Sequence, residues 1–295
     1  MRLPPPLLAL LLVVRGTAFS PSTPSRAARP LRGGENDWVT QGLDARELVD
    51  LEDGLLAGEG DVLPAAGLSW PGCRVAIVAA ASAARPDAEV VVRLGNSATG
   101  WGTGAHPSTR LCLEFLSEQL EPGDRVMDYG TGSGVLAIGA LGLGAATVLG
   151  VDVEAEALVA AQANLELNGY DVGGGQAELS HVREIVPGGL APPADICVAN
   201  ILIGQLVRPS MVAVLSSNVR PGGLLCLSGV RPDQCGSLRE VYSRHFDWEP
   251  AMYAEAEPGA EGKAYWGRWS RLVGRRKASG FGADDIALLS DLAVS

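Results

Sequence analysis

The chain has 295 residues, 47% of them hydrophobic, which suits one large α/β domain with a small extra element or two modest domains. The formal net charge of -11 argues against binding nucleic-acid phosphates as the main activity, because such proteins concentrate lysine and arginine. It is compatible with a cationic protein substrate. The five cysteines are odd in number and form no CxxC pair, so neither a metal site nor a disulfide framework is predicted.

The first 34 residues have the composition of a targeting segment. An apolar run at 7–14 is too short to cross a bilayer, and small residues follow it, so we expect signal-peptide cleavage after Ala18. Residues 19–34 are rich in serine, threonine, proline and arginine and contain no acid, as in transit peptides. Together these features predict a two-part plastid (chloroplast) address, with a mitochondrial presequence or a plain secretory signal as alternatives. No membrane span is expected in the mature form.

Residues 35–95 form a short N-terminal region in this interpretation. A short helix is predicted at 44–56, and runs rich in valine and isoleucine at 74–80 and 89–93 predict two short strands. A glycine-rich loop at 99–109 follows, and apolar residues then recur at helical spacing.

Strands and helices alternate through most of residues 96–277, the predicted main domain. The predicted strands are 125–129, 147–153, 178–186, 194–199 and 223–228, and the predicted helices are 110–119, 134–143, 154–168, 206–217 and 232–244. This alternation predicts an α/β fold with a doubly wound, mostly parallel sheet. Two last runs, at 249–255 and 264–273, have no helix between them, so we expect a seven-stranded sheet with an antiparallel C-terminal hairpin. Residues 278–295 are left as a tail.

A glycine-rich segment directly follows the strand at 125–129 and opens a helix. It reads Asp128-Tyr-Gly130-Thr-Gly132-Ser-Gly134, and its glycines let a ligand approach the backbone and the helix N-terminus. Asp152 lies 22 residues after Gly130, near the usual spacing for a carboxylate that binds ribose hydroxyls. Val135 stands where a dinucleotide fingerprint needs its third glycine, so the pattern favours the loop of class I methyltransferases. The alternatives are a structural turn for the loop and a helix cap for Asp152.

Residues 101–113 resemble the FGTGxHPTTxLCL signature of the ribosomal protein L11 methyltransferase (PrmA) family. Residues 198–202 (VANIL), 227–229 and 269–277 are also similar to that family, so the resemblance extends from about residue 89 to 277. It implies a class I methyltransferase fold with S-adenosyl-L-methionine as the cofactor. It also implies methyl transfer to protein amines, on lysine side chains or an N-terminus, with ribosomal protein L11 as a candidate substrate.

The resemblance places the loop around Thr103 and Gly104 against the methionine end of the cofactor. His106 would orient this loop or help the amine lose its proton; the alternative is an ordered turn with a hydrogen-bonded imidazole. Asn200 offers an oxygen that would hold an amine in line with the methyl group, or it caps the next helix. Trp101 either forms a wall of the site or simply packs. The candidate cofactor-binding residues are Thr103, Gly104, Asp128, Gly130, Gly132, Gly134, Asp152 and Asn200, and the candidate catalytic residues are Asn200 and His106.

The chain departs from the family pattern mainly in its N-terminal part. The family carries an N-terminal α/β domain that binds the ribosomal protein, whereas we expect only about residues 35–88 to serve here, as a reduced recognition element. The alternatives are therefore methylation of another protein or of nucleic acid, or a donor-binding module without activity. Base methylation usually requires an N/D-P-P-aromatic segment, whereas Ile201-Leu202 follows Asn200, so stable nucleic-acid binding is not expected.

Overall fold

The computed structural model describes residues 63–84, 86–95, 102–255 and 267–278. The predicted targeting segment, the helix predicted at 44–56, Trp101 and most of the tail lie outside these residues. None of the helices in the described part of the chain has the length and apolar content that a bilayer crossing requires.

The structure follows the alternating order of elements that the sequence predicts. The strands are β1 (Val75–Ala79), β2 (Val90–Leu94), β3 (Arg125–Tyr129), β4 (Thr147–Asp152), β5 (Ala177–His181), β6 (Ala194–Asn200), β7 (Val219–Val230), β8 (Phe246–Trp248), β9 (Met252–Glu255) and β10 (Arg268–Arg276). The helices are α1 (Pro107–Gln119), α2 (Val135–Gly142), α3 (Ala155–Leu167), α4 (Ile203–Leu206), α5 (Pro209–Ser217) and α6 (Cys235–Tyr242), with single 3-10 turns at Val182–Glu184 and Pro232–Gln234.

The central sheet has the strand order β5-β4-β3-β6-β7-β10-β8, and β9 pairs with the start of β10. Strands β3 to β7 run parallel, whereas β10 runs antiparallel to β7, β8 and β9. The prediction of a doubly wound, mostly parallel sheet with an antiparallel C-terminal hairpin is confirmed, whereas the sheet has eight strands and not the predicted seven, because β8 was not expected. The strand order reverses between β3 and β6, and ligands bind such sheets at the carboxyl ends of the strands beside this switch point.

Two predicted helices differ in their boundaries because of prolines. The helix predicted at 206–217 is divided into α4 and α5, since Pro209 lacks an N–H and fits only the first turn of a new helix. For the same reason α1 begins at Pro107, three residues before the predicted start. The strand predicted at 178–186 ends at His181, whose side chain accepts a hydrogen bond from the Arg183 N–H and begins a 3-10 turn.

Strands β1 and β2 form a separate parallel pair that shares the hydrophobic core of the main domain. Val75 and Ile77 of β1 belong to the same buried cluster as Leu113 of α1 and Leu136 of α2. Residues 63–95 are therefore packed directly against the helices that flank the glycine-rich segment.

Two asparagines one helical turn apart attach the end of β2 to α3. Asn168 accepts a hydrogen bond from the Arg93 N–H at 2.9 Å and donates to the Arg93 carbonyl at 2.7 Å, as a neighbouring strand would. Asn164 accepts from the Gly95 N–H at 2.8 Å and donates to the Ser133 carbonyl at 2.8 Å. Asn164 thus connects β2 to the glycine-rich segment.

Candidate active site

The three glycines of the segment after β3 each have a positive φ angle. Gly130, Gly132 and Gly134 have φ of 83°, 52° and 79°, a region that side chains disfavour. The Gly130 N–H donates to the Val151 carbonyl at 2.8 Å, which turns the chain away from the sheet. A Cβ on Gly130 would overlap Cγ2 of Ile201. Gly130 is therefore needed both for the turn and for the close approach of Ile201, the residue after β6.

Asp152, at the end of β4, holds the glycine-rich segment through backbone hydrogen bonds. Its Oδ2 accepts from the Gly132 N–H at 2.8 Å, and its Oδ1 accepts from the N–H groups of Val153 at 2.8 Å and Glu154 at 3.1 Å. A carboxylate has about four lone-pair positions, so one remains for a ribose hydroxyl. The carboxylate therefore has a structural task in addition to the predicted ribose contact.

Asp128, at the end of β3, is buried with one oxygen bonded and the other not. Its Oδ2 accepts from the Thr131 hydroxyl at 2.8 Å and from the Ala137 N–H at 3.1 Å, which joins β3 to the first turn of α2. Burial raises the pKa of the Asp128 carboxyl to about 7, although these two hydrogen bonds lower it. Among the described residues, nothing donates to Oδ1.

Asn200 reaches the same region from the end of β6. Its Nδ2 donates to Oγ1 of Thr109 on α1 at 3.4 Å, and its Oδ1 is buried and finds no donor in the described part of the chain. The Ser133 hydroxyl oxygen is likewise buried and has no hydrogen-bond partner in the described part of the chain. A buried polar group without a partner costs about 1–3 kcal/mol. Asp128, Ser133 and Asn200 therefore present three buried polar atoms that a bound ligand would satisfy.

The loop before α1 lies against the glycine-rich segment. A Cβ on Gly102 would lie 3.9 Å from the Ser133 hydroxyl, and one on Gly104 would overlap the Ile77 side chain of β1. The Thr103 hydroxyl accepts a weak hydrogen bond from the Ala105 N–H at 3.5 Å. The structure thus brings this loop beside the segment at 130–134, in the arrangement that the family resemblance implies.

His106 caps the N-terminus of α1. Its Nδ1 accepts from the Ser108 N–H at 3.2 Å and lies 2.6 Å from the Ser108 hydroxyl. The ring meets Trp269 edge-on, with 4.5 Å between ring centres. Burial lowers the pKa of the His106 imidazole to about 4, so the ring is neutral near pH 7. This environment matches the ordered turn that was the alternative to a catalytic role.

Two residues that sequence reasoning did not single out take part in this site. Ser133 lies within the glycine-rich segment, and Thr109 lies within the signature at 101–113, so both were visible as parts of motifs. Ser133 lies near Gly102, and Thr109 accepts a hydrogen bond from Asn200; in both cases the neighbour is distant in sequence. Only the folded structure identifies them.

A cavity of about 230 Å³ lies at the opposite edge of the sheet, near the first residues of β3, β4 and β6. Arg125, Thr147 and Gln176 are among the residues that line it, and none of the candidate site residues does. Because ligands bind doubly wound sheets at the carboxyl ends of the strands, we place the active site at the glycine-rich segment and not in this cavity.

Comparison with known proteins gives a consistent result. Residues 71–257 match the family model described as ribosomal protein L11 methyltransferase (PrmA). The chain is 41% identical to the ribosomal protein L11 methyltransferase of Pseudomonas paraeruginosa over 196 residues, which is 66% of this chain and 60% of the relative. It is 38% identical to the enzyme of the same name from Chromobacterium violaceum over 182 residues, which is 61% of this chain and 52% of the relative. The chain thus spans about 60% or less of the length of these relatives.

A solved structure shows the same fold. The crystal structure of ribosomal protein L11 methylase from Lactobacillus delbrueckii subsp. bulgaricus aligns with a TM-score of 0.55 at 26% identity. The alignment covers 69% of this chain and 95% of that chain.

Proposed function

The chain belongs to the ribosomal protein L11 methyltransferase family, and on this basis we propose that it transfers methyl groups from S-adenosyl-L-methionine to amine nitrogens of a protein. The observation that carries the proposal is the group of three buried polar atoms around the segment at 130–134, on Asp128, Ser133 and Asn200. They lie where the sheet order reverses, at the carboxyl ends of β3 and β6.

The cofactor of the family is S-adenosyl-L-methionine, and the residues present fit it. The glycines at 130–134 allow close approach to the backbone, and the N-terminus of α2 favours a carboxylate. Asp152 would take a ribose hydroxyl with its remaining lone pair, and Asp128 and Ser133 would hold polar atoms of the methionine part. When bound, the cofactor supplies a methyl group that is already activated on a sulfonium.

The protein's own task in this reaction is alignment. The Asn200 Oδ1 is a buried acceptor, suited to take an N–H of a neutral amine and hold its lone pair toward the methyl group. Proximity and exclusion of water then supply most of the rate. A strong base is not required, and the lowered pKa of His106 makes it a poor one.

For the substrate we propose ribosomal protein L11, with lysine side chains or the N-terminal α-amine as acceptors. The support is the name of the relatives and the net charge of -11, which favours a cationic partner. The chain covers 60% of the first of these relatives. A second candidate is a module that binds the cofactor without transferring the methyl group.

Labelled S-adenosyl-L-methionine separates these candidates. The full chain is incubated with the labelled cofactor and a ribosomal extract, and label is followed in the separated proteins and RNA. We expect label in one small ribosomal protein, and none with Asn200→Ala. Cofactor binding by calorimetry without any transfer would favour the binding module, and label only in RNA would contradict a protein substrate.

We also propose that residues 1–34 direct import into a plastid, which rests on their composition alone. A fusion of these residues to a fluorescent protein tests it in an alga with a secondary plastid. Plastid fluorescence that is lost when the three arginines at 26, 29 and 32 become alanine supports the proposal. Fluorescence in mitochondria or the medium would contradict it.

A further inference from the structure

Asn164 of α3 joins two parts of the chain that meet at the cofactor site. Its Nδ2 donates to the Ser133 carbonyl at 2.8 Å, and its Oδ1 accepts from the Gly95 N–H at 2.8 Å. We propose that Asn164 is a positioning residue for the cofactor, which holds the glycine-rich segment at Ser133 and links it to the end of β2. This inference rests on the proposed binding of S-adenosyl-L-methionine at that segment.

The peptide between Ser133 and Gly134 is held from both sides. Its carbonyl accepts from Asn164, and its N–H donates to the Thr131 carbonyl at 2.8 Å. A trans peptide is planar, so these two hydrogen bonds together set its orientation. The buried Ser133 hydroxyl is attached to the Cα that precedes this peptide. The direction in which the hydroxyl meets a bound cofactor therefore depends on the hydrogen bond from Asn164.

Helix α3 packs closely against the same peptide. Gly134 has a φ of 79°, and a Cβ there would lie 3.3 Å from both the Cα and the Cβ of Ala161, about one helical turn before Asn164. Asn164 itself is 2% exposed and is hydrogen-bonded at both ends of its amide. Removal of a buried partner leaves the other group unsatisfied, which makes such a connection costly to lose.

The other end of the connection reaches the N-terminal region. Gly95 directly follows β2, and the chain continues from there toward the loop at 102–104. A Cβ on Gly102 of that loop would lie 3.9 Å from the Ser133 hydroxyl. Both ends of the connection thus lead to Ser133. Residues 63–95 would then support cofactor binding, in addition to any contact that they make with a substrate.

Asn168 provides a matched control, because it attaches the same strand to the same helix. It bonds the N–H and the carbonyl of Arg93 and the main-chain carbonyl of Asn164, and none of these bonds reaches the glycine-rich segment. Asn164→Leu and Asn168→Leu both keep the approximate size of the side chain and both detach β2 from α3. Only Asn164→Leu also releases the Ser133 carbonyl.

The first test is calorimetric titration of the full-length variants with S-adenosyl-L-methionine, with urea denaturation alongside. We expect both variants to lose unfolding free energy, and only Asn164→Leu to bind the cofactor about tenfold more weakly, the effect of one hydrogen bond. The Kd of Asn168→Leu should stay within about twofold of the wild type. Equal Kd values for the two variants would overturn the inference. Absence of cofactor binding by the wild-type protein would instead overturn the proposed function, and the inference with it.

A second measurement uses the wild-type protein and so does not depend on the folding of a variant. NMR follows hydrogen exchange of the Gly95 N–H, bonded to Asn164, and of the Arg93 N–H, bonded to Asn168, with and without cofactor. At about 100 times its Kd, a ligand slows exchange up to about a hundredfold where the opening prevents its binding. We expect at least about tenfold slowing at Gly95 and less than about twofold at Arg93. Equal slowing at both, or none at Gly95, would show that Asn164 does not connect β2 to the cofactor.

Discussion

The Asp152 Oδ2 accepts a hydrogen bond from the Gly132 N–H at 2.8 Å, which joins the end of β4 to the turn between β3 and α2. The sequence alone offers Asp152 two alternative roles, the contact with a ribose or a cap for the following helix. In the structure the same carboxylate also receives three backbone N–H groups and so holds the turn in shape. The proposed ribose contact would therefore couple cofactor binding to the shape of the turn through one side chain.

Asp152→Ala should weaken the affinity for S-adenosyl-L-methionine by at least tenfold. A charged hydrogen bond to a hydroxyl is worth more than ~1.4 kcal/mol, and the variant also releases the Gly132 N–H. Calorimetric titration measures the affinity. Glu154→Ala, which removes the same charge two residues away at a side chain without a capping hydrogen bond, should bind normally. Equal affinity of Asp152→Ala and the wild type would refute the assigned ribose contact.

Gly130→Ala should destabilise the protein more than Gly169→Ala does. Both glycines have a positive φ, 83° and 85°, so both variants should lose about 1–2 kcal/mol of unfolding free energy because alanine disfavours this backbone conformation. A Cβ on Gly169 meets nothing within 4 Å, whereas a Cβ on Gly130 overlaps the Ile201 side chain. Urea denaturation of the two variants measures the difference.

The Ile201→Ala background shows whether this overlap is the cause. In this background, the loss of unfolding free energy caused by Gly130→Ala should fall to the loss caused by Gly169→Ala, because the overlapping methyl group is gone. An unchanged cost would assign the effect to the backbone alone.

The stability of the protein should depend on the protonation of Asp128. Its pKa is raised from 3.8 to about 7 in the folded state, chiefly by burial. A raised carboxyl pKa gives stability that is fully present below about pH 4 and is lost as the pH rises through about 7. Asp128→Asn keeps a neutral side chain at every pH, and its single oxygen can still accept from Thr131 and Ala137.

Relative to the wild type, Asp128→Asn should therefore gain about 3 kcal/mol of unfolding free energy between pH 5 and pH 8. Urea denaturation at the two pH values measures this gain. Asp233→Asn, at an exposed position, makes the same change in net charge and serves as the control. A pH-independent difference between Asp128→Asn and the wild type would show that Asp128 is ionised throughout.

His106 should act as a helix cap and not as a base. Asparagine also accepts the capping N–H, so His106→Asn should retain most activity, whereas His106→Ala should lose about 1 kcal/mol of unfolding free energy. Both variants lose the contact with Trp269, so their difference isolates the cap. With a pKa of about 4, His106 should leave kcat unchanged between pH 6 and pH 9. An inflection of kcat between pH 6 and pH 9 that is present in the wild type and absent in His106→Asn would instead support a catalytic role for His106.

The fold was largely predictable because its signals are local. Alternating strands and helices predict the parallel sheet, and the glycines at 130–134 with Asp152 predict the ligand position. Strand β8 was missed because three residues carry no recognisable period. The break at Pro209 was missed because apolar residues continue across it.

The partners of the site residues were less predictable, because they depend on packing. Thr109 and Asn200 are 91 residues apart, and their contact exists only because α1 packs on β6. The bond from Gly132 to Asp152 likewise depends on the parallel register of β3 and β4. Sequence motifs identify such residues but do not predict which hydrogen bonds they form.

The most direct test of the proposed function is mass spectrometry of purified bacterial ribosomal protein L11 after incubation with the full chain and S-adenosyl-L-methionine. We predict methyl groups on lysine side chains or on the N-terminal amine with the wild-type protein, and almost none with Asn200→Ala. Unmodified L11, under conditions where calorimetry shows the wild-type protein saturated with cofactor, would contradict the assignment of L11 as the substrate.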